Sequence, residues 1–145
     1  MTDSVRSGDG PGHVDPMRPE LTSGLANTLG IEVRELGPDR VVATMPVDER
    51  TRQPFGYLHG GASVALAETV VSLGAFATVD PETHRAFGLE INANHLRPKR
   101  DGVVTAVGTP IHKGRTTQVW SIEIRDESGR LVCVSRCTLA LVEAG

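Results

Sequence analysis

The side chains able to do chemistry in this 145-residue chain gather in one stretch: Gln53, His59, Gly60 and Gly61, then a solitary carboxylate at Glu68. Between Ala62 and Val79, Glu68 is the only ionisable residue in a run of apolar and small side chains. A carboxylate in such surroundings is costly unless it is paired or put to use. Its natural use is as a base or a nucleophile toward an electrophilic carbon. A glycine pair opening a helix offers the other half of acyl-transfer chemistry. It presents free N–H groups and the favourable dipole end to a carbonyl oxygen that gains charge, with no side chain to hold a substrate off. Taken alone, the pair reads equally well as a tight turn into the helix. A Ser-His-Asp triad is disfavoured, because no G-x-S-x-G elbow is present and Ser63 falls inside the helix.

These groups need a helix to hold them, and its geometry constrains what they do together. His59 and Glu68 are nine residues apart, about 900° of rotation and roughly 13.5 Å of rise. They project from opposite sides of one helix, too far apart to meet around one small substrate. If both serve one reaction, Glu68 comes from a second copy of the chain, and the active unit is a homodimer with two composite sites.

The remaining segments supply a sheet. Leu21 to Leu29 reads as a short helix stopped by Gly30. Ile31–Leu36 and Arg40–Val47 flank Gly37-Pro38-Asp39 as a hairpin, and Asp48 to Gln53 is a polar loop. After the helix, strands are expected at Ala86–Leu96, Val103–His112, Thr116–Arg125 and Arg130–Val142, joined at Arg97–Gly102, Lys113-Gly114 and Asp126–Gly129. Connections this short imply antiparallel neighbours. One long buried helix on one antiparallel sheet is an α+β architecture. Residues 1–20, rich in Gly and Pro, read as a flexible tail, and 21–145 as a single domain.

Composition narrows the function classes. The net charge of −3 and the scarcity of aromatics argue against nucleic acid. The N-terminus has no apolar run resembling a signal peptide. The central helix barely reaches membrane-spanning length and carries Glu68, so a membrane role is not expected. Cys133 and Cys137 would lie about 13 Å apart on one strand, beyond disulfide range. They read as buried, reduced thiols and suit a cytoplasmic protein. No second Cys/His pair has metal-ligand spacing, so no metal is expected.

His-Gly-Gly-Ala-Ser at 59–63, Glu68, the segment from Gly88 to Arg97 and Gln-Val-Trp at 118–120 together resemble the hotdog-fold acyl-CoA thioesterases. The likeness covers about residues 21 to 142 and is nearest to the group acting on 4-hydroxybenzoyl-CoA and 1,4-dihydroxy-2-naphthoyl-CoA. It implies a curved antiparallel sheet wrapped round the helix and two such units paired edge to edge. The sites would lie between subunits, and dimers would pair further into a tetramer. Coenzyme A is then part of the substrate, with no separate cofactor, and menaquinone biosynthesis is the implied setting. The backbone N–H of Gly60 and the amide of Gln53 would polarise the thioester carbonyl. Glu68 would attack it or activate a water, and the sequence does not choose. A hotdog dehydratase or hydratase, or a module binding acyl-CoA without turnover, are the alternatives.

Several further residues have two readings. Ser72, one turn past Glu68, and Thr69, beside it, could hold the carboxylate or a water, or simply relieve helix packing. His59 could line the site, or only hydrogen-bond the loop. Phe55, Tyr57 and Leu58 could form an acyl pocket or pack locally. Arg97 at one turn, and Gly114 and Arg115 at another, are the preferred contacts for coenzyme A phosphates, although charges at hairpin tips are often merely solvated.

Overall fold

The computed structural model describes residues 19–145. Of the tail expected over 1–20, all but the last two residues lie outside them. In order, the elements are a 3-10 turn (Pro19–Leu21), α1 (Leu25–Thr28), β1 (Glu32–Leu36), β2 (Val41–Pro46), α2 (Gly60–Phe76), β3 (His84–His95), β4 (Val103–Lys113), β5 (Thr117–Arg125) and β6 (Leu131–Glu143). The short helix expected over 21–29 is thus broken in two at Ser23-Gly24. Gly24 precedes α1 with φ of 72° and Gly30 follows it at 74°, both in the region that favours glycine.

The six strands form one antiparallel sheet in the order β1-β2-β4-β5-β6-β3. α2 packs against every strand, so the sheet curls around the helix. Its core is Met45, Leu66, Val70, Val71, Trp120, Ile122, Ile124 and Leu139, all essentially without solvent contact. The period-two patterns of β5 and β6 place Trp120, Ile122, Ile124, Cys133, Cys137 and Leu139 on this inner face as expected.

One neighbour relation differs from the sequence reading. The short link at 96–102 suggested that β3 and β4 form a hairpin; instead β3 pairs with β6 at the sheet edge. Seven residues can span two intervening strands, since extended chain covers up to about 3.4 Å per residue and strands lie about 4.8 Å apart. The link is held where it crosses the helix mouth. Leu58 N–H donates to Lys99 O (2.7 Å) and Val47 N–H to Gly102 O (2.8 Å). Glu127 adds a bond from Val103 N–H (2.9 Å) and a 2.9 Å ion pair to Lys99.

The far end of the helix is fixed by a buried polar chain. Trp120 Nε1–H donates to Gln118 Oε1 (2.8 Å), Gln118 Nε2–H to Thr78 Oγ1 (2.8 Å), and Thr78 Oγ1–H to Ala75 O (2.7 Å). Gly74 lies flat under the indole, where a Cβ would come within 2.8 Å of Trp120 Cζ3.

Most of α2 is buried, but Gly61, Val64, Ala65, Glu68, Thr69 and Ser72 form a stripe that none of the described residues fully covers. Among the described residues no helix is long and apolar enough to cross a membrane.

Candidate active site

The loop before α2 is a closed, hydrogen-bonded unit. His59 N–H donates to Thr51 O (2.8 Å), Gln53 N–H to Tyr57 O (2.7 Å) and Gly56 N–H to Gln53 O (3.0 Å). Thr51, buried, anchors its base by donating from Oγ1 to Pro46 O (2.8 Å). The loop thereby fixes Gln53 beside the helix mouth. Oε1 of Gln53 accepts from Phe55 N–H at 2.5 Å. Only a carbonyl oxygen can accept there, so the amide orientation is set and Nε2 keeps its two donors for the cleft.

At the mouth, His59 is the N-cap of α2: its Nδ1 accepts from Gly61 N–H at 2.8 Å. Ala62 and Ser63 N–H donate to His59 O. Among the described residues Gly60 N–H therefore remains the unpartnered donor at the positive end of the helix. His95, from the end of β3, lies over it, and a Cβ on Gly60 would come within 2.9 Å of His95 Nε2. An open cleft of about 380 Å³ is lined by Gln53, Tyr57, Leu58, Gly60, Ser63, His95 and Arg97 among others.

Glu68 occupies a different place. It lines a groove with Leu25, Gly61, Val64, Ala65, Thr69 and Ser72. Its carboxylate has no hydrogen-bond or ion-pair partner among the described residues, and it rests against Gly88 of β3, where a Cβ would collide with Oε1. Thr69 Oγ1–H donates back to Ala65 O (2.7 Å), so its hydroxyl is committed to the helix. Ser72 Oγ has no partner among the described residues and shares the Glu68 groove.

The chain thus brings Gln53, Gly60, Tyr57 and Arg97 together, and separately Glu68 with Ser72 and Thr69. His59 faces a third hollow, shared with Leu25, Leu29, Arg50 and Arg52, on the other flank of the helix mouth. Phe55 stands at the loop tip, 83% exposed. Tyr57 accepts from Arg100 Nη2–H (2.7 Å), and that guanidinium lies 4.6 Å from the ring centroid. Arg97 donates to Leu131 O (2.8 Å). Gly114 and Arg115 sit at the β4–β5 turn, at the other end of the sheet, where Gly114 N–H donates to Thr117 O. His95 was the residue missed: its motif was visible, but only the pairing of β3 with β6 reveals that it reaches the helix mouth. Among the described residues no three His, Cys, Asp or Glu side chains converge as a metal-ligand set. Burial, with the charges of Glu68 and Glu90, pushes the Cys137 thiol up to about 11, and burial also raises Cys133. Neither thiol is a nucleophile near neutral pH.

The model of the "Thioesterase superfamily" matches residues 55–133, from the loop tip through the helix to the start of β6. The chain belongs to the thioesterase superfamily. It is a thioester hydrolase with the hotdog fold, the wrapped helix and sheet described above. Among similar superfamily members is a 1,4-dihydroxy-2-naphthoyl-CoA hydrolase of Escherichia coli, 53% identical over 114 residues, covering 79% of this chain and 83% of the relative. A protein of the same name from Listeria monocytogenes is 51% identical over 118 residues, 81% of this chain and 95% of that one. The crystal structure of a mutant of the Pseudomonas aeruginosa thioesterase PA1618 superposes with a TM-score of 0.84 at 44% identity, covering 87% of this chain and 91% of the other.

Proposed function

We propose that this thioesterase hydrolyses aromatic acyl-CoA thioesters at sites built by two copies of the chain. One copy contributes Glu68 with Ser72; the other contributes Gly60 N–H and Gln53 Nε2. The observation that carries the reading is the separation of these groups on one chain: an unpartnered carboxylate in one groove, unpartnered donors in another. Only a second chain can close that gap, and the uncovered stripe of α2 around Glu68 is a surface for it to cover. The exposed edge of β3, with Phe87 and Leu89 at 57% and 63% exposure, offers the sheet edge along which two copies pair.

In this arrangement Gly60 N–H and the Gln53 amide take the thioester oxygen as it gains charge. Glu68 either removes a proton from an attacking water or attacks the carbonyl carbon itself. In both routes the C–S bond breaks, coenzyme A leaves as the thiol, and water supplies the new oxygen of the acid. No metal or other cofactor takes part in the proposed chemistry. Arg97 beside the cleft and Arg115 at the far turn are proposed for coenzyme A phosphates, Arg115 from a different subunit. That pairing favours a dimer of dimers. The 1,4-dihydroxy-2-naphthoyl-CoA hydrolases among its relatives support a fused aromatic acyl group, and with it a place in menaquinone biosynthesis.

The test is release of free thiol across a panel of aromatic and aliphatic acyl-CoAs. Hydrolysis liberates the thiol, whereas a dehydratase or a mere binding module does not. Glu68→Ala should cut turnover by about 10²–10⁴-fold in a protein that keeps its melting temperature. Unchanged turnover in that variant would remove Glu68 from the chemistry.

A further inference from the structure

Ser63 is 1% exposed, and its hydroxyl has no hydrogen-bond partner among the described residues. Among the described residues no buried side-chain oxygen or nitrogen is left unsatisfied. The sliver of Ser63 that meets solvent therefore has to include Oγ, and it opens into the cleft lined by Gln53, Gly60 and His95. A hydroxyl this nearly enclosed gains from a partner that reaches it through the opening. Serine in a helix interior usually finds its partner by donating to the carbonyl four residues back. Here His59 O already receives the N–H groups of Ala62 and Ser63, and Ser63 Oγ makes no such bond.

Helix geometry directs this hydroxyl. Ser63 lies three residues after Gly60, on the same face, and helical side chains lean toward the N-terminus. Oγ therefore points back toward the mouth where Gly60 N–H is free. We infer that Ser63 Oγ–H is a third donor to the substrate's thioester oxygen, beside Gly60 N–H and Gln53 Nε2. Gly60 and Ser63 come from one helical turn, so their two donors keep a fixed spacing. The inference rests on the cleft being the carbonyl-binding half of the thioesterase site.

Binding of two unreactive coenzyme A analogues tests it. Phenacyl-CoA keeps a carbonyl, separated from sulfur by a methylene; phenethyl-CoA is the thioether without it. Wild-type protein should prefer the ketone, and Ser63→Ala should lose about tenfold of that preference, the scale of one hydrogen bond, with phenethyl-CoA affinity unchanged. The melting temperature of Ser63→Ala should match wild type, because Oγ gives up no hydrogen bond within the described residues. Equal weakening of both analogues, or a lower melting temperature with the ketone preference intact, would make Ser63 a packing or water-binding residue and overturn the inference. Should Ser63→Ala fail to fold, Ser63→Cys, with its weaker donor, must show a partial loss of ketone preference; full retention overturns the inference. If wild-type protein binds neither analogue, the assignment of the cleft fails instead, and Ser63 with it.

Discussion

Gly88→Ala separates placing the carboxylate from holding the fold together. Gly88 is an exposed residue of edge strand β3, opposite Leu139, at a position where the ladder shifts register. Its backbone is outside the left-handed region, so alanine fits the chain there. Alanine in a strand is even favoured over glycine, by about 0.5–1 kcal/mol. The added Cβ, however, falls closer than 3.0 Å to Glu68 Oε1, with Cδ at 3.3 Å. Glu68 is flexible and open to its groove, so it yields by swinging away, and the oxygen must travel about 1 Å to regain ordinary contact. Stability should stay level or rise slightly, while a misplacement of that size costs about 10²-fold in kcat. Thermal melting and thiol release on one preparation measure both. Gly37→Ala is the control, since its Cβ meets only Arg40 O at 3.7 Å and Gly37 lines neither the cleft nor the Glu68 groove. A Gly88→Ala enzyme with kcat within about threefold of wild type would refute the claim that this strand fixes the working position of Glu68.

Other perturbations probe the remaining links. Mixing Glu68→Ala with Gln53→Ala subunits under exchange should restore about a quarter of wild-type activity: random pairing makes half the dimers mixed, and each holds one intact site of two. No recovery, with exchange shown by mass spectrometry of tagged subunits, would exclude a composite site. Gly74→Ala drives a methyl into Trp120, whose Nε1 is held by Gln118, so urea unfolding should show a loss of about 1–3 kcal/mol with kcat per folded molecule unchanged. Both thiols stay protonated in the folded chain beyond the ordinary value of 9.0, Cys137 to about 11. The unfolded chain therefore loses these protons first as pH rises, and stability falls between about pH 9 and pH 11. Urea midpoints at pH 8, 9 and 10 should decline less in Cys137→Ala than in wild type.

Much of this was legible before any coordinates. The run around Glu68 announced a buried helix because its polar residues are small and its sole charge is isolated. The alternation at Trp120–Ile124 marked the inner face of β5, but in β4 it pointed the wrong way: Val103 and Ile111 are exposed, and the smaller Val104, Ala106 and Gly108 face the helix. Helix rise set the mouth apart from the carboxylate, but the His59 ring is not on the opposite side as its spacing suggested. As the N-cap it folds onto Gly61, and its hollow shares Leu25, Gly61 and Ala65 with the Glu68 groove. Strand order was not legible: a seven-residue link suits a hairpin and a crossover equally well, and what decides is the bonding of Leu58 and Val47 to Lys99 and Gly102. That same ambiguity hid His95, whose place depends on its strand partner Cys133, 38 residues on in the chain. The role of His59 was equally hidden. A histidine before a glycine pair can point either way, and its ring nitrogen caps Gly61.

The pairing of β3 with β6 has a consequence for how such a protein can vary. Gly88 lies under the carboxylate and His95 over the helix mouth, on one strand, with eleven paired positions between Glu143 and Cys133 fixing its register. That strand works as a ruler whose two marks address different half-sites. A single inserted or deleted residue between the marks would shift at least one of them and turn its side chains to the opposite face. Length changes in the family should therefore collect in the turns, such as 126–129, and stay out of residues 88–95. New substrate preferences should arise by exchanging side chains along a scale that keeps its divisions.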